Sequence, residues 1–101
     1  AVRAGDRTYA GCNVENASYG LTICAERAAV FAAVAAGETR LEEVAVVTDT
    51  DAPTTPCGAC RQVLREFGEA MRVVCATVGG ARVEYTLDQL LPASFGPENL
   101  T

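Results

Sequence analysis

The sequence predicts an α/β fold: a mixed sheet with helices packed against it. Two observations predict it. Short β-branched segments alternate along the chain with alanine- and leucine-bearing helical segments, and strand–helix–strand order implies crossover connections. Half of the 101 residues are hydrophobic, enough for one small core. Alanine dominates that apolar set and tryptophan is absent, which favours close helix packing. A single domain over residues 1–101 is expected.

The elements follow in order. Ala1 to Ala4 and Arg7 to Ala10 flank Gly5-Asp6, and glycine first in a two-residue turn suits a type II′ hairpin. Gly11 to Leu21, rich in Asn, Gly and Ser, reads as a loop of the length that often carries function. Ile23 to Ala36 is the strongest helix, with no internal Gly or Pro and with Gly37 after its end. Leu41 to Thr48, with Val44, Val46 and Val47, reads as a buried strand. Asp49 to Pro56 is a polar loop. Gly58 to Phe67 is a second helix, with Val63, Leu64 and Phe67 on one face and Gly68 closing it. Arg72 to Val78 and Arg82 to Tyr85 are strands joined at Gly79-Gly80. Thr86 with Gln89 forms a capping box for a short helix ending at Pro92. From Ala93 onward the tail reads as irregular.

Composition excludes several functions. Thirteen acidic residues against eight basic ones give a net charge of −5, with no basic run. Such a chain is a poor partner for a nucleic-acid backbone, so a nucleic-acid component would be a free nucleoside and not a polymer. No apolar stretch reaches the ~18–20 residues of a membrane span, so no membrane partner is expected. Five cysteines, an odd number, argue against a full disulfide framework. A metal site in a reducing cytoplasm is the better reading of Cys-x-x-Cys.

The chemistry lies in Cys24-Ala25-Glu26 and Pro56-Cys57-Gly58-Ala59-Cys60. Cys24, Cys57 and Cys60 can hold one Zn²⁺, and three protein ligands leave a tetrahedral ion's remaining position open, the mark of a catalytic site. Glu26 stands where a carboxylate could move a proton to or from water at that position. Both motifs fall at helix starts, where unpaired N–H groups favour thiolate over thiol. Three thiolates around Zn²⁺ leave a charge of about −1, which nearby cations could offset. Arg27 and Arg61, each directly following a motif, are the candidates. A closed four-cysteine site would have to recruit Cys12 or Cys75, since the chain has no histidine. A thioredoxin-like redox pair at Cys57 and Cys60 would leave Cys24 without a role.

Three segments together, Gly11-Cys12-Asn13-Val14-Glu15-Asn16-Ala17-Ser18-Tyr19, Cys24-Ala25-Glu26-Arg27 and Pro56-Cys57-Gly58-Ala59-Cys60-Arg61-Gln62, resemble the small homotetrameric cytidine deaminases. The likeness runs on to Leu91-Pro92 and Phe95. It implies a three-layer α/β/α arrangement, with a mixed five-stranded sheet and helices on both faces. It implies hydrolytic deamination of cytidine and deoxycytidine, with Zn²⁺ on Cys24, Cys57 and Cys60 and Glu26 as proton shuttle. Asn13 and Glu15 match residues that hold the ribose hydroxyls, and the Ala25 N–H and Thr55 carbonyl match contacts to the pyrimidine. Tyr19 and Phe95 match residues that reach a neighbouring subunit's pocket in the homotetramer. Two departures stand out. The family's N-terminal helix and the start of its first strand, with an aromatic that packs on the base, have no counterpart here. Thr55 also stands where serine is common. A blasticidin-type deaminase shares the zinc motifs but differs in the ribose loop. A non-catalytic zinc-stabilised interaction module would need a closed site.

Overall fold

A computed structural model describes residues 1–100. Five strands form one mixed sheet: β1 (Val2–Ala4), β2 (Arg7–Tyr9), β3 (Glu43–Thr48), β4 (Arg72–Thr77) and β5 (Arg82–Thr86). Their order is β2-β1-β3-β4-β5. Only β3 and β4 run parallel; the other neighbours are antiparallel. The helices are α1 (Ala25–Ala35), α2 (Gly58–Arg65) and α3 (Leu87–Leu90), with 3₁₀ turns at Tyr19–Leu21 and Pro97–Leu100.

The turn chemistry follows the sequence closely. Gly5 has φ +60°, and Asp6 is not among the positive-φ residues, the combination a type II′ turn requires. Helix α1 starts one turn's fraction later than the sequence suggests, because Cys24 is its extended N-cap. It ends in a Schellman arrangement. Gly37, at φ +96°, donates to the Val34 carbonyl at 2.9 Å, and Glu38 donates to the Ala33 carbonyl at 3.0 Å. The expected capping box of α3 is present, with the Thr86 N–H donating to Gln89 Oε1 at 2.9 Å.

Pairing register sorts the sheet into two unlike faces. Tyr9, Val2, Val44, Val73 and Tyr85 lie opposite one another across all five strands. Val2, Val44, Val73 and Cys75 from this face join Ala29, Val30 and Ala33 of α1, Leu64 of α2 and Leu87 of α3 in one buried cluster. Full burial of a Val or Leu side chain contributes about 1.5–3 kcal/mol, so this cluster holds the fold. The opposite face carries a row of charges in register: Arg3 and Arg72 each lie 3.6 Å from Glu43, and Glu84 pairs with both Arg72 and Arg82. Exposed pairs of this kind are screened and contribute little; their alternation instead favours this strand register over a one-residue slip.

The mixed five-stranded sheet is thus as expected. All three helices contribute residues to the buried cluster, as an α/β arrangement with helices packed on the sheet requires. The tail differs from expectation: Pro97–Leu100 is an ordered 3₁₀ turn.

The loop leaving β2 passes directly over the start of α1. A Cβ on Gly11 would lie 2.5 Å from the Ala25 carbonyl oxygen and 2.9 Å from the Ala28 carbonyl carbon. Backbone atoms in a helix cannot step aside cheaply. Gly11→Ala is expected to lower stability by about 1–3 kcal/mol, read as a lower urea midpoint. An unchanged midpoint would contradict the close approach.

Candidate metal centre and active site

Two helix N-termini converge on one point. Cys24 caps α1 with φ −72° and ψ 155°; Cys57 caps α2 with φ −66° and ψ 167°. The Cys24 side chain makes no capping bond to its own helix, which leaves its sulfur for another task. Cys60 follows one turn into α2 and is fully buried. Cys24 Sγ lies 3.9 Å from Cys57 Sγ, and Cys57 Sγ lies 3.4 Å from Cys60 Sγ. All three sulfurs are within 4.8 Å of one another.

These distances suit a metal and not a disulfide. A disulfide needs about 2.05 Å between sulfurs, and all five cysteines are free thiols. Tetrahedral zinc with Zn–S bonds of about 2.3 Å places its sulfurs about 3.8 Å apart, inside the observed spread. Among the described residues neither Cys12 nor Cys75 joins the group. Cys12 is exposed and Cys75 is buried on β4. The donor set therefore fits one Zn²⁺ with an open position.

The local electrostatics follow from the helix starts and from burial. The N–H of Cys60, with that of Ala59 and the neighbouring thiols, holds the Cys57 thiol below the ordinary thiol range despite its partial burial. Burial pushes the Cys60 thiol up, and its hydrogen bond to Cys57 and the Glu26 charge push in the same direction. Clustered sulfurs cannot all ionise by themselves; a dication among them supplies the missing positive charge.

The two arginines play different parts. Arg27 Nη2 donates to Cys24 Sγ at 3.6 Å, and its Nε is buried without a partner. The hydrogen bond to Cys24 raises the Arg27 pKa. Arg61 does not face the sulfurs with its hydrogen bonds. It donates to the Pro56 carbonyl at 2.7 Å, the Leu90 carbonyl at 2.7 Å and Thr55 Oγ1 at 2.9 Å. None of these hydrogen bonds goes to a sulfur. Arg61 ties the loop ahead of Cys57 to the end of α3, because α3 packs within its reach.

Glu26, in the first turn of α1, lines a cleft of about 210 Å³ together with Gly11, Ala25 and the β3 residues Ala45, Val46 and Val47. The Glu26 charge also reaches Cys75, whose thiol is raised chiefly by burial. A larger cleft of about 330 Å³ lies by Arg65, Glu69 and Pro97, and Glu26 does not line it. The smaller cleft is the one with chemistry at its wall.

Asn13 and Glu15 are brought to the same end of α1. Val14 exchanges backbone hydrogen bonds with Ile23 at 2.9 and 3.0 Å, pinning the loop beside Cys24. Asn13 Nδ2 donates to Glu15 Oε1 at 3.1 Å, and both side chains are exposed. Tyr19 is 88% exposed and Phe95 59% exposed, so neither belongs to this subunit's core. Sequence reasoning did not single out the Val14–Ile23 bridge, Gly11, or the β3 lining. The only available signal was β-branched Val14 and Ile23 at the two ends of a polar loop.

A sequence profile of the cytidine and deoxycytidylate deaminase zinc-binding region matches residues 1–77. The chain belongs to this family. Among its relatives, a cytidine deaminase from Sporosarcina psychrophila is 47% identical over 103 residues, covering 100% of this chain and 76% of the relative. One from Mycobacterium tuberculosis is 45% identical, covering 93% of this chain and 68% of the relative. A crystal structure of cytidine deaminase from Burkholderia pseudomallei superposes with a TM-score of 0.89 at 45% identity, covering 93% of this chain and 77% of that one. As a member of a zinc-binding deaminase family with this three-sulfur group, the chain takes Zn²⁺ as its cofactor.

Metal analysis of variants tests the assignment. Cys60→Ser is expected to lose zinc, while Cys12→Ser keeps one zinc per chain. Arg27→Gln should weaken zinc binding by about tenfold or more, measured by competition with a chromogenic chelator. Full zinc affinity in Arg27→Gln would remove its role as counter-charge.

Proposed function

We propose that the protein deaminates cytidine and deoxycytidine hydrolytically to uridine and deoxyuridine, releasing ammonia, as a step of pyrimidine salvage in the cytoplasm. The observation that carries this reading is the three-sulfur group at two helix N-termini, with Glu26, two residues after Cys24 in the first turn of α1, on the wall of a cleft. Family membership supports the reaction class.

Cys24, Cys57 and Cys60 would hold Zn²⁺, which would supply the Lewis acidity that makes water a nucleophile. Glu26 takes a proton from the attacking water and passes it to N3 of the pyrimidine. Protonation at N3 interrupts the ring's aromaticity and makes C4 electrophilic, the atom attacked in such deaminases. Glu26 then moves the remaining proton from the hydroxyl added at C4 to the amino group, so that the C4–N4 bond breaks, ammonia leaves and the C4 carbonyl forms. Ala25 opens α1, so its N–H has no partner within the helix and is free to hold the pyrimidine. The Thr55 carbonyl accepts from the base, on a loop that Arg61 fixes. Asn13 can donate and accept while Glu15 accepts, which suits a ribose diol. Their mutual hydrogen bond pre-sets that pair.

The active assembly in this reading is a homotetramer with shared sites. Exposed Tyr19 and Phe95 complete a neighbour's pocket, which supports neither aromatic having a core role in its own chain. The acidic charge and the small cleft suit a free nucleoside over a polymer.

Glu26→Gln is expected to lower turnover of cytidine by about a thousandfold, followed by ultraviolet absorbance, with one zinc per chain retained. Turnover surviving that change would remove Glu26 from the chemistry.

A further inference from the structure

The tail beyond α3 is held more firmly than an irregular terminus needs. Ala93 adopts φ +51°, unusual for a residue with a Cβ, and turns the chain back after Pro92. The chain then crosses α2. Arg65, in the last turn of α2, is only 7% exposed. A buried cation is costly unless paired, and two of the three side-chain partners of Arg65 come from the tail. Its Nε donates to Ser94 Oγ at 2.8 Å, and its Nη2 pairs with Glu98. Glu69 lies 3.7 Å away on the near side.

The backbone of the tail is fitted to that guanidinium. A Cβ on Gly96 would stand 2.5 Å from Arg65 Cζ and 2.6 Å from both Nη atoms. Gly96 N–H donates to Asn99 Oδ1 at 2.8 Å, and Asn99 N–H returns a bond to the Gly96 carbonyl at 2.9 Å. One turn earlier on the same face of α2, Gln62 Nε2 donates to the Phe95 carbonyl at 2.9 Å. The backbone around Phe95 is therefore pinned on both sides, while its ring stands in solvent, 59% exposed.

Ordering an exposed aromatic gains this chain little burial. Pre-ordering does benefit an aromatic that must enter a site elsewhere, because the entropy of placing it is then not lost at each binding event. We propose that Gln62, Arg65 and Gly96 are positioning residues that pre-set Phe95 for the nucleoside site of a neighbouring subunit. This rests on the shared-site reading given above. The same helix thus serves two sites: its first turn carries Cys57 and Cys60 for its own, and its last turn aims Phe95 at the next.

The distinctive consequence is action in trans. Arg65→Met alone is expected to raise KM for cytidine about tenfold with kcat changed less than about twofold. Arg65→Lys, which keeps the charge, should recover part of that loss. Arg65→Met is then co-expressed with Glu26→Gln under separate tags, and mixed oligomers are isolated. At substrate far below KM, random pairing places an intact Glu26 beside a properly held tail in about a quarter of sites. The mixture should then show about a quarter of wild-type activity. A role confined to its own fold predicts about a twentieth, half the chains each at a tenth. That lower value would overturn the proposal. If Arg65→Met does not fold, Gln62→Ala at its exposed position carries the same mixing test. Wild-type protein that is monomeric, or that does not turn over cytidine, would overturn the shared-site reading and this inference with it. An active wild-type oligomer without recovery on mixing would overturn the inference alone.

Discussion

Everything in this molecule depends on bringing the N-termini of α1 and α2 to one point. Cys24 Sγ can approach Cys57 Sγ to 3.9 Å only if two helices, separated in sequence by a strand and a loop, start at the same place. The sheet enforces this. Parallel β3 and β4 require a crossover, and α2 is that crossover. It begins beyond the carboxyl end of β3, the edge where open α/β sheets place their ligands. Alanines on the buried face of α1 let it lie close against both the sheet and α2. The Gly11 crossing and the Val14–Ile23 bridge then set the polar loop against the same end of α1.

Charge explains the rest of the site. Without an ion, the cluster holds one thiol lowered by helix N–H groups and one raised by burial. It is a site built for a cation. Arg27 is the only arginine whose hydrogen bonds reach these sulfurs among the described residues. Arg61, though next to Cys60, is consumed by carbonyls and a hydroxyl. Sequence adjacency gave the two arginines equal standing; packing gave them different work. The same division appears along α2, whose first turn serves the metal and whose last turn buries Arg65 against the tail.

Local chemistry was the legible part. The Gly5 turn, the stop at Gly37, the capping box at Thr86 and the helix starts at both cysteine motifs each depend on a few adjacent residues, and the chain carries those signals openly. The metal group was legible because three thiols beside a carboxylate have few other uses. What escaped was long-range. Leu90 lies 29 residues from Arg61, and nothing in the intervening sequence announces their hydrogen bond. The order in the tail escaped for the same reason: Ser94, Gly96 and Glu98 look like an irregular terminus until Arg65 is placed beneath them.

The central claim is an open zinc site with three sulfur ligands. The zinc X-ray absorption spectrum of the metal-loaded protein measures this directly. Three sulfurs at about 2.3 Å and one oxygen or nitrogen scatterer at about 2.0–2.2 Å are the expected result. Four sulfur scatterers would contradict it, closing the site and leaving Glu26 with no water to act on.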